Sequence, residues 1–308
     1  MAFSLLAGDK DFNGRWNIKV QNEPRQRVWW LEVEGAGTKG VKGLFVGAPG
    51  GDMNAIPEIA IDGGELRFSF ERKYAYGTKT DRDRMRKGVY VARVKDGKLV
   101  GTFSLDGNVV HQWTGTRAPV IRDRDDSSWK EGTPVALFNG KDTATFDAMV
   151  AGKELGWTVK DGVLANVAGA NNLVSKEKFW NFVLKTEYRL GPKSNSGIGL
   201  RGRYEVQILE DYGKAPDTHS HGALYSRYAP SENASKPAGE WNTLEVRLVG
   251  RWVTVTLNGK RVVDGKEIHG LTAIAGNCDE ADPGPFILQG DHGAVEIKSL
   301  TVTPLVRR

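Results

Sequence analysis

The sequence contains only one cysteine, Cys278, among 308 residues, so an intrachain disulfide is impossible. We interpret Cys278 as a small buried hydrophobic residue rather than as a nucleophile. Long apolar runs are also missing near the start, where AFSLLAG at residues 2–8 is too short for a signal-peptide core or a membrane span. We therefore expect no membrane-embedded segment, and either an intracellular protein or an exported one whose signal is not part of this sequence.

The chain also lacks a region dominated by charge of one sign. Its 43 Lys and Arg residues are interspersed with 38 Asp and Glu residues, which leaves a net charge of +5 and a pI near 9.1. No basic stripe, zinc-finger spacing or RNA-recognition signature is present. We therefore do not expect a nucleic-acid partner.

Glycine and tryptophan, in contrast, are abundant. The chain has 38 glycines, 9 tryptophans and 39% hydrophobic residues. Together with few helical patterns, this composition favours β structure with many tight turns. Asp96-Gly97 and Asn258-Gly259 are flanked by alternating apolar and polar residues, which is typical of β-hairpins.

These turn signals predict an all-β protein with two domains. Residues 1–117 are typical of an antiparallel meander, forming a small barrel or sandwich. Residues 118–133 have no periodicity and are rich in charge, Ser and Pro, so we interpret them as a linker. Residues 134–308 contain about ten short strands, the pattern of a two-sheet sandwich or jelly roll.

One predicted strand of the second domain, within RGRYEVQILED at residues 201–211, has an unusual polar side. Arg201, Arg203, Glu205 and Gln207 alternate with smaller or apolar residues. On a strand, all four would share one face and would line an open groove, while the other face packs in the core. Structural pairing with neighbouring strands is an equally weighted alternative for such charges.

Further polar residues follow or precede this strand in the sequence. A grouping of His, carboxylate and Arg side chains suits general acid–base chemistry with anion stabilisation. A histidine in a turn, such as His219, is more often solvated than catalytic. A catalytic metal held by mixed His and carboxylate ligands stays an open alternative. The candidates are Asn195, Asp211, His221, Tyr225, Asp279, Gln289 and His292.

The segment EVQILE, at residues 205–210, is similar to the E-x-D-x-x-E signature of glycoside hydrolases with a concanavalin A-like sandwich. Gln207 stands where that signature has Asp. A retaining mechanism needs two carboxyl groups about 5 to 5.5 Å apart. Glu205 and Glu210 have opposite parity on a regular strand, so only a β-bulge would bring both to the groove.

The second domain, at about residues 134–305, resembles the bacterial 3-keto-disaccharide hydrolase domain. This resemblance implies a concanavalin A-like sandwich and a substrate already oxidised at C3 of a sugar by a separate dehydrogenase. It also implies a periplasmic or extracellular location, with a cytoplasmic one left open. The N-terminal region is similar to a β domain that precedes the sandwich in some members. The matching segments are LFNGKD, GWTVKDGVL, NSGIGLRGRYEVQILEDYG, HGALYSRYAPSENASKPAGEWNTLEV, LNGKRVVD and PGPFILQGDHGAVEIKSLTV.

The resemblance implies an elimination mechanism. A C3 ketone acidifies the C2 hydrogen, a base removes that proton, the enolate expels the C1 oxygen, and water adds to the product. Under this reading Glu205 or His292 is the base, and Arg201 or a divalent cation near Glu205 stabilises the enolate. His221 or Asp211 protonates the leaving oxygen. The groups expected to hold the sugar are Asn195, Arg203, Gln207, Tyr225, Asp279 and Gln289.

Two other functions stay open. A non-catalytic, lectin-like carbohydrate-binding module is compatible with the same fold, because fold does not fix function. Such modules rely on aromatic platforms, whereas this strand offers charges with histidines nearby. A direct glycosidase through Glu205 and Glu210 is disfavoured by their parity and by Gln207.

Overall fold

The computed structural model of the chain describes residues 8–22, 28–47 and 51–307. Most of the apolar run at residues 2–8 therefore lies outside the described residues. Two units are formed, the first from the residues up to Pro119 with Gly270–Glu280, the second from Val120–His269 with the residues from Ala281 onward. Neither helix in the described ranges is long and apolar enough to cross a membrane. Strands dominate both units, which confirms the all-β fold class.

The first unit is one antiparallel sheet in the order β4-β3-β2-β1-β9-β8-β7-β6-β5. The outermost strands, β4 and β5, are separated in sequence only by Ile56 and Pro57, so the sheet must curl until its edges approach each other. Besides a 3-10 helix (Asp9–Phe12) and α1 (Lys79–Asp83), the elements are β1 (Gly14–Val20), β2 (Val28–Glu34), β3 (Lys42–Val46), β4 (Met53–Ala55), β5 (Glu58–Asp62), β6 (Glu65–Arg72), β7 (Arg86–Lys95), β8 (Lys98–Leu105) and β9 (Asn108–Arg117).

Aromatic contacts across the interior of this sheet show how far it curls. Trp29 of β2 and Tyr90 of β7 have ring centroids 5.5 Å apart, although three strands lie between β2 and β7 in the sheet. In a flat sheet these strands would be roughly 19 Å apart. Tyr90 also stacks on Phe68, with centroids 4.6 Å apart. The first unit is therefore the small barrel that the sequence offered as one alternative.

The second unit contains two sheets. The larger has the order β13-β14-β23-β16-β19-β20-β21, with β10 and β11 also paired to β23, and the smaller has the order β12-β15-β22-β17-β18. The strands are β10 (Trp129–Glu131), β11 (Val135–Phe138), β12 (Phe146–Ala148), β13 (Trp157–Lys160), β14 (Val163–Asn166), β15 (Leu173–Phe179), β16 (Phe182–Leu190), β17 (Asn195–Leu200), β18 (Tyr204–Leu209), β19 (Trp241–Val249), β20 (Trp252–Leu257), β21 (Lys260–Glu267), β22 (Gly284–Leu288) and β23 (Val295–Arg307).

The two sheets of the second unit pack face to face. Phe182 of the larger sheet and Phe286 of the smaller sheet are both fully buried, and their ring centroids are 4.7 Å apart. Alternation along β16 and β19 places apolar side chains inside and polar ones outside, as sheet packing requires. The predicted concanavalin A-like β-sandwich is confirmed.

The segment interpreted as a linker, residues 118–133, is largely part of the second unit. Trp129 pairs with Arg307 in the β10–β23 ladder. Arg247 donates to Asp125 through two nitrogens at 2.8 and 2.9 Å, and Trp180 Nε1 donates to Asp123 at 2.8 Å. The charged residues that the sequence placed in a linker therefore form ion pairs and hydrogen bonds with the sandwich.

The expected boundary of the second domain, residues 134–308, also differs from the structure. Residues 270–280 leave the sandwich and belong to the first unit. There, Asn17 Nδ2 donates to the carbonyl oxygen of Cys278 at 3.0 Å and to Glu280 at 2.9 Å. Cys278 itself is buried, as its interpretation as a small hydrophobic residue predicts. The local pattern of residues 270–280 does not indicate that they belong to the first unit, because that assignment depends on long-range contacts.

Candidate functional site

The smaller sheet of the sandwich has an apolar face toward the core and a second face with polar side chains. In the β17–β18 hairpin, Ile198 stands opposite Val206, and both are buried in the core. The neighbouring pair, Gly199 and Glu205, therefore points to the other face. We call this second face the polar face. It is defined by Asn195, Gly197, Gly199, Glu205, Gln207 and Gln289.

Glu205 lies near the centre of the polar face. It is only 2% exposed although it points away from the core, so this surface is sheltered from bulk water. A Cβ atom added to Gly197 would lie 2.5 Å from Glu205 Oε1. The carboxylate therefore lies directly above the backbone of the adjacent strand, in space that exists because residue 197 is glycine.

Three amide side chains surround this carboxylate on the polar face. Gln207 stands opposite Gly197, and Gln289 donates its backbone N–H to the carbonyl oxygen of Gly197 at 3.0 Å. The side-chain oxygens of Asn195, Gln207 and Gln289 are buried and accept no hydrogen bond from the described residues. A buried acceptor without a donor costs about 1 to 3 kcal/mol. Hydroxyl groups of a bound ligand are suitable donors for all three.

The polar face continues past β18 along an additional segment. Tyr225 donates its backbone N–H to the carbonyl oxygen of Glu205 at 3.0 Å, and Leu224 pairs with Val206. Leu224 is fully buried in the core, so Tyr225 points to the polar face beside Glu205. The His219 ring packs edge-to-face against Tyr225, with centroids 4.8 Å apart. The structure thus brings Tyr225 to the predicted site and adds His219, which the sequence interpretation had dismissed as solvated.

Arg201 does not belong to the polar face, which corrects the prediction of an enolate-stabilising role. Residues 201–203 form a turn with φ of +53° at Arg201, and β18 begins only at Tyr204. The Arg201 guanidinium donates to the carbonyl oxygens of Trp180 and Gly250 and to Asn181 Oδ1, at 2.5, 2.8 and 3.0 Å. Burial lowers its pKa to about 9.

The predicted groove position of Arg203 is also wrong. It lies in the same turn as Arg201, before the strand begins, and is 1% exposed. Its Nη1 donates to the carbonyl oxygen of Asp282 at 2.9 Å. Both arginines therefore hold the β17–β18 turn against neighbouring backbone.

His221 and Asp211 anchor a loop and are not exposed to a ligand. His221 is 1% exposed and its Nε2 is hydrogen-bonded to the hydroxyl of Tyr188, on the larger sheet. Burial lowers the pKa of His221 to about 4 and raises that of Tyr188, so both are neutral at pH 7. Asp211 accepts from the His221 backbone N–H at 3.0 Å and from Ser235 Oγ at 3.1 Å. The expectation that either protonates a leaving group is therefore corrected.

Asp279 and His292, two other candidates, lie in different units. Asp279 belongs to the first unit and forms an ion pair with Lys19 at 3.1 Å, and its predicted sugar-binding role stays a prediction. His292 is half exposed in the loop between β22 and β23, and its Nδ1 is 2.8 Å from Asp291 Oδ1. The next residue, Gly293, donates its N–H to the carbonyl oxygen of Asn195 at 2.7 Å, which brings this loop to the edge of the polar face.

The divalent cation considered beside Glu205 stays a prediction. No group of three or more His, Cys, Asp or Glu side chains among the described residues is arranged to hold a metal ion. The side chains that flank Glu205 in register are glycine, glutamine and tyrosine. We therefore derive no chemical step through a metal.

The sequence also matches a family defined from other proteins. Residues 133–303, more than half of the chain and nearly all of the sandwich, match the model of the 3-keto-α-glucoside-1,2-lyase-like domain. The chain belongs to the 3-keto-α-glucoside-1,2-lyase-like domain family. This confirms the resemblance inferred from the sequence and supports a glycoside-cleaving function. No curated protein matches the chain.

Solved structures similar to this 3-keto-α-glucoside-1,2-lyase-like chain include two provisionally assigned glycosyl hydrolases from Parabacteroides distasonis ATCC 8503. One is 25% identical with a TM-score of 0.48, covering 60% of this chain and 91% of its own. The other is 21% identical with a TM-score of 0.46, covering 57% and 100%. An endo-β-1,3(4)-glucanase of family GH16 is 11% identical with a TM-score of 0.39, covering 62% and 96%.

Glu210, the second carboxylate of a direct glycosidase, is not beside Glu205 in this family member. The β17–β18 register runs without a bulge from the Asn195–Leu209 pair to the Leu200–Tyr204 pair. Glu210 follows the strand with the parity of the core-facing residues and accepts the backbone N–H of Lys193 at 3.0 Å. The EVQILE segment therefore does not form the retaining pair that its pattern suggests.

Proposed function

We propose that the sandwich cleaves the glycosidic bond of 3-keto-glycosides by β-elimination, after which water adds to the unsaturated product. The observation that carries this proposal is the arrangement around Glu205: one sheltered carboxylate above Gly197, flanked by the amides of Gln207 and Gln289. A mechanism through a glycosyl-enzyme would need a second carboxylate about 5 to 5.5 Å away. Elimination needs one base, a group that stabilises the C3 oxygen and an acid for the leaving oxygen, without a matched pair of carboxylates.

Glu205 is the proposed base. In a sheltered site a carboxylate has few competing water molecules, which favours abstraction of the acidic C2 proton of a 3-keto sugar. The C2–H electron pair forms the C1–C2 double bond by way of the enolate, and the C1–O bond breaks with its electrons remaining on the aglycone oxygen. His292, held by Asp291 at 2.8 Å, is the second candidate for this base because it lies at the edge of the same face.

The three amides with buried oxygens are the proposed sugar-binding groups. Gln207 lies on β18 and Gln289 directly follows β22, and these strands flank β17, so the two Cα atoms are separated by roughly 10 Å, enough for one sugar ring. Hydroxyl groups of that ring would donate to the oxygens that lack protein donors. The amide NH₂ groups would in turn donate to the C3 oxygen and stabilise the enolate.

A lectin-like module is the competing function. Binding modules present aromatic platforms, whereas the described part of the polar face offers Tyr225 beside a carboxylate and amides.

The proposed substrate also requires a separate sugar 3-dehydrogenase, because the ketone has to be introduced before elimination.

The test compares 4-nitrophenyl glucoside with its 3-keto derivative, with and without a chelator. Release of nitrophenol from the 3-keto compound alone supports elimination. Glu205→Gln keeps the shape of the side chain and removes its basicity, so we expect kcat to fall by about 10² to 10⁴ with an unchanged thermal unfolding midpoint. His292→Gln, measured beside it, assigns the base. Sugar binding without any cleavage would support the lectin-like function instead.

A further inference from the structure

His219 and Tyr225 form a pair at the edge of the polar face for which the proposed reaction has a specific need. Elimination leaves negative charge on the aglycone oxygen, and an ordinary sugar or alkyl alkoxide is a poor leaving group unless it is protonated as it departs. The residues expected to supply that proton, His221 and Asp211, are buried in the loop anchor. Another acid beside Glu205 is therefore required.

Tyr225 connects His219 to Glu205. Tyr225 lies opposite Glu205 on the neighbouring segment, one strand spacing of about 4.8 Å away. The His219 ring contacts the Tyr225 ring, with the two centroids 4.8 Å apart. In a 3-keto-glycoside the C2 hydrogen and the C1 oxygen are on adjacent carbons, so base and acid must lie within one sugar ring of each other. Both His219 and Tyr225 are partly exposed, unlike His221.

Hydrogen bonds fix the backbone around His219, which suits a catalytic residue whose side chain must keep one orientation. Asp217 Oδ1 accepts the His219 backbone N–H at 2.7 Å, and Ser220 Oγ accepts the Asp217 backbone N–H at 2.8 Å. Ser226 donates its backbone N–H to the carbonyl oxygen of Thr218 at 2.8 Å. These contacts tie the two ends of the turn together, and the Tyr225 ring then restricts the orientation of the imidazole.

We propose that His219, as an imidazolium, protonates the departing glycosidic oxygen, and that Tyr225 is its positioning residue. The inference rests on the proposed function. Glu205 takes the C2 proton, the C1–C2 double bond forms, the C1–O bond breaks, and its electron pair takes the His219 proton to give the free alcohol. One proton enters Glu205 and one leaves His219, so exchange with solvent returns both groups to their starting state.

The experiment varies the leaving group. 4-Nitrophenolate is a stable anion that departs without protonation, whereas methoxide or a sugar alkoxide needs an acid. His219→Gln should lower kcat/KM for methyl 3-keto-glucoside and for a 3-keto-disaccharide by about 100-fold or more, and should change the value for 4-nitrophenyl 3-keto-glucoside by less than about threefold. A structural role for His219 would lower all three values together.

Two variants of Tyr225 test its role as the positioning residue of His219. Tyr225→Phe keeps the ring contact, so the ratio of alkyl to nitrophenyl cleavage should stay at the wild-type value. Tyr225→Ala removes the contact and should lower that ratio by about tenfold. Thermal unfolding midpoints of all variants identify any that fail to fold.

The outcomes separate the two proposals. If the wild-type protein cleaves no 3-keto substrate, the proposed function itself fails. If the wild type cleaves them all but His219→Gln affects each substrate equally, or affects none, the assignment of His219 as the acid is overturned while elimination stands.

Discussion

Replacing Gly197 with alanine tests whether the Glu205 carboxylate performs the chemistry. The added Cβ would lie 2.5 Å from Glu205 Oε1 and 3.1 Å from its Cδ, whereas ordinary contacts begin at 3.4 Å. The carboxylate must therefore retreat by about 1 Å, a displacement that can cost about 100-fold in rate when a reacting group is involved. We expect kcat/KM for 4-nitrophenyl 3-keto-glucoside to fall by about that factor, or about 2.7 kcal/mol.

Stability should change much less than activity in this variant. Gly197 has no positive φ that would exclude alanine, and the group in its way is the end of a side chain. The gain from a less flexible unfolded chain and the cost of tighter packing are each about 1 kcal/mol, so they partly cancel. Gly191→Ala is the matched control, because a Cβ there meets no atom within 4 Å. It should leave kcat/KM unchanged and raise the unfolding midpoint slightly, because it has the entropic gain without the packing cost.

A double-mutant cycle makes the result decisive. In a Glu205→Ala background the carboxylate is gone, so Gly197→Ala should cause no further loss of the residual activity. An additive loss in the double variant would mean that the new methyl group obstructs the sugar directly. An undiminished kcat/KM in the single variant would refute the central position of Glu205.

Three further predictions concern Arg201, His221 and the hydrogen-bond partner of His221, Tyr188. Arg201→Met should lower the free energy of unfolding by about 3 to 5 kcal/mol, because three buried acceptors lose their donor, with little change in activity per folded molecule; urea denaturation and kcat/KM measure both. The His221 pKa is about 4 when folded and near 6.5 when unfolded, so its contribution of about 3 kcal/mol is present above pH 6.5 and is lost as pH falls toward 4. Melting curves of His221→Asn should therefore show a smaller loss of stability over that window than the wild type, and equal losses would contradict the assignment. Tyr188→Phe should destabilise the fold by about 1 to 2 kcal/mol by removing the hydrogen-bond partner of His221, and an unchanged unfolding midpoint would argue against that hydrogen bond.

Much of the fold could be predicted because it follows from local patterns. Alternation and Gly-containing turns define hairpins, and strand parity places Glu205 and Gln207 on one face and Val206 on the other. The alternation misled at Arg201, because it continues through a turn in which positive φ at residues 201 and 202 reverses the chain. The position of Asp279 depends on contacts with a distant part of the sequence, which no local pattern contains.

The two histidines of HSHG show where the strand parity rule does not apply. His219 and His221 are two apart, but they lie in a turn rather than a strand, so they do not share a face. His221 points between the sheets, where the Tyr188 hydroxyl and the low dielectric keep its imidazole neutral. His219 points outward to Tyr225 and keeps access to solvent, the condition under which an imidazole can gain and lose a proton in each catalytic cycle. Neutral His221 fixes the loop. The fixed loop in turn orients His219 toward the proposed position of the glycosidic oxygen beside Glu205.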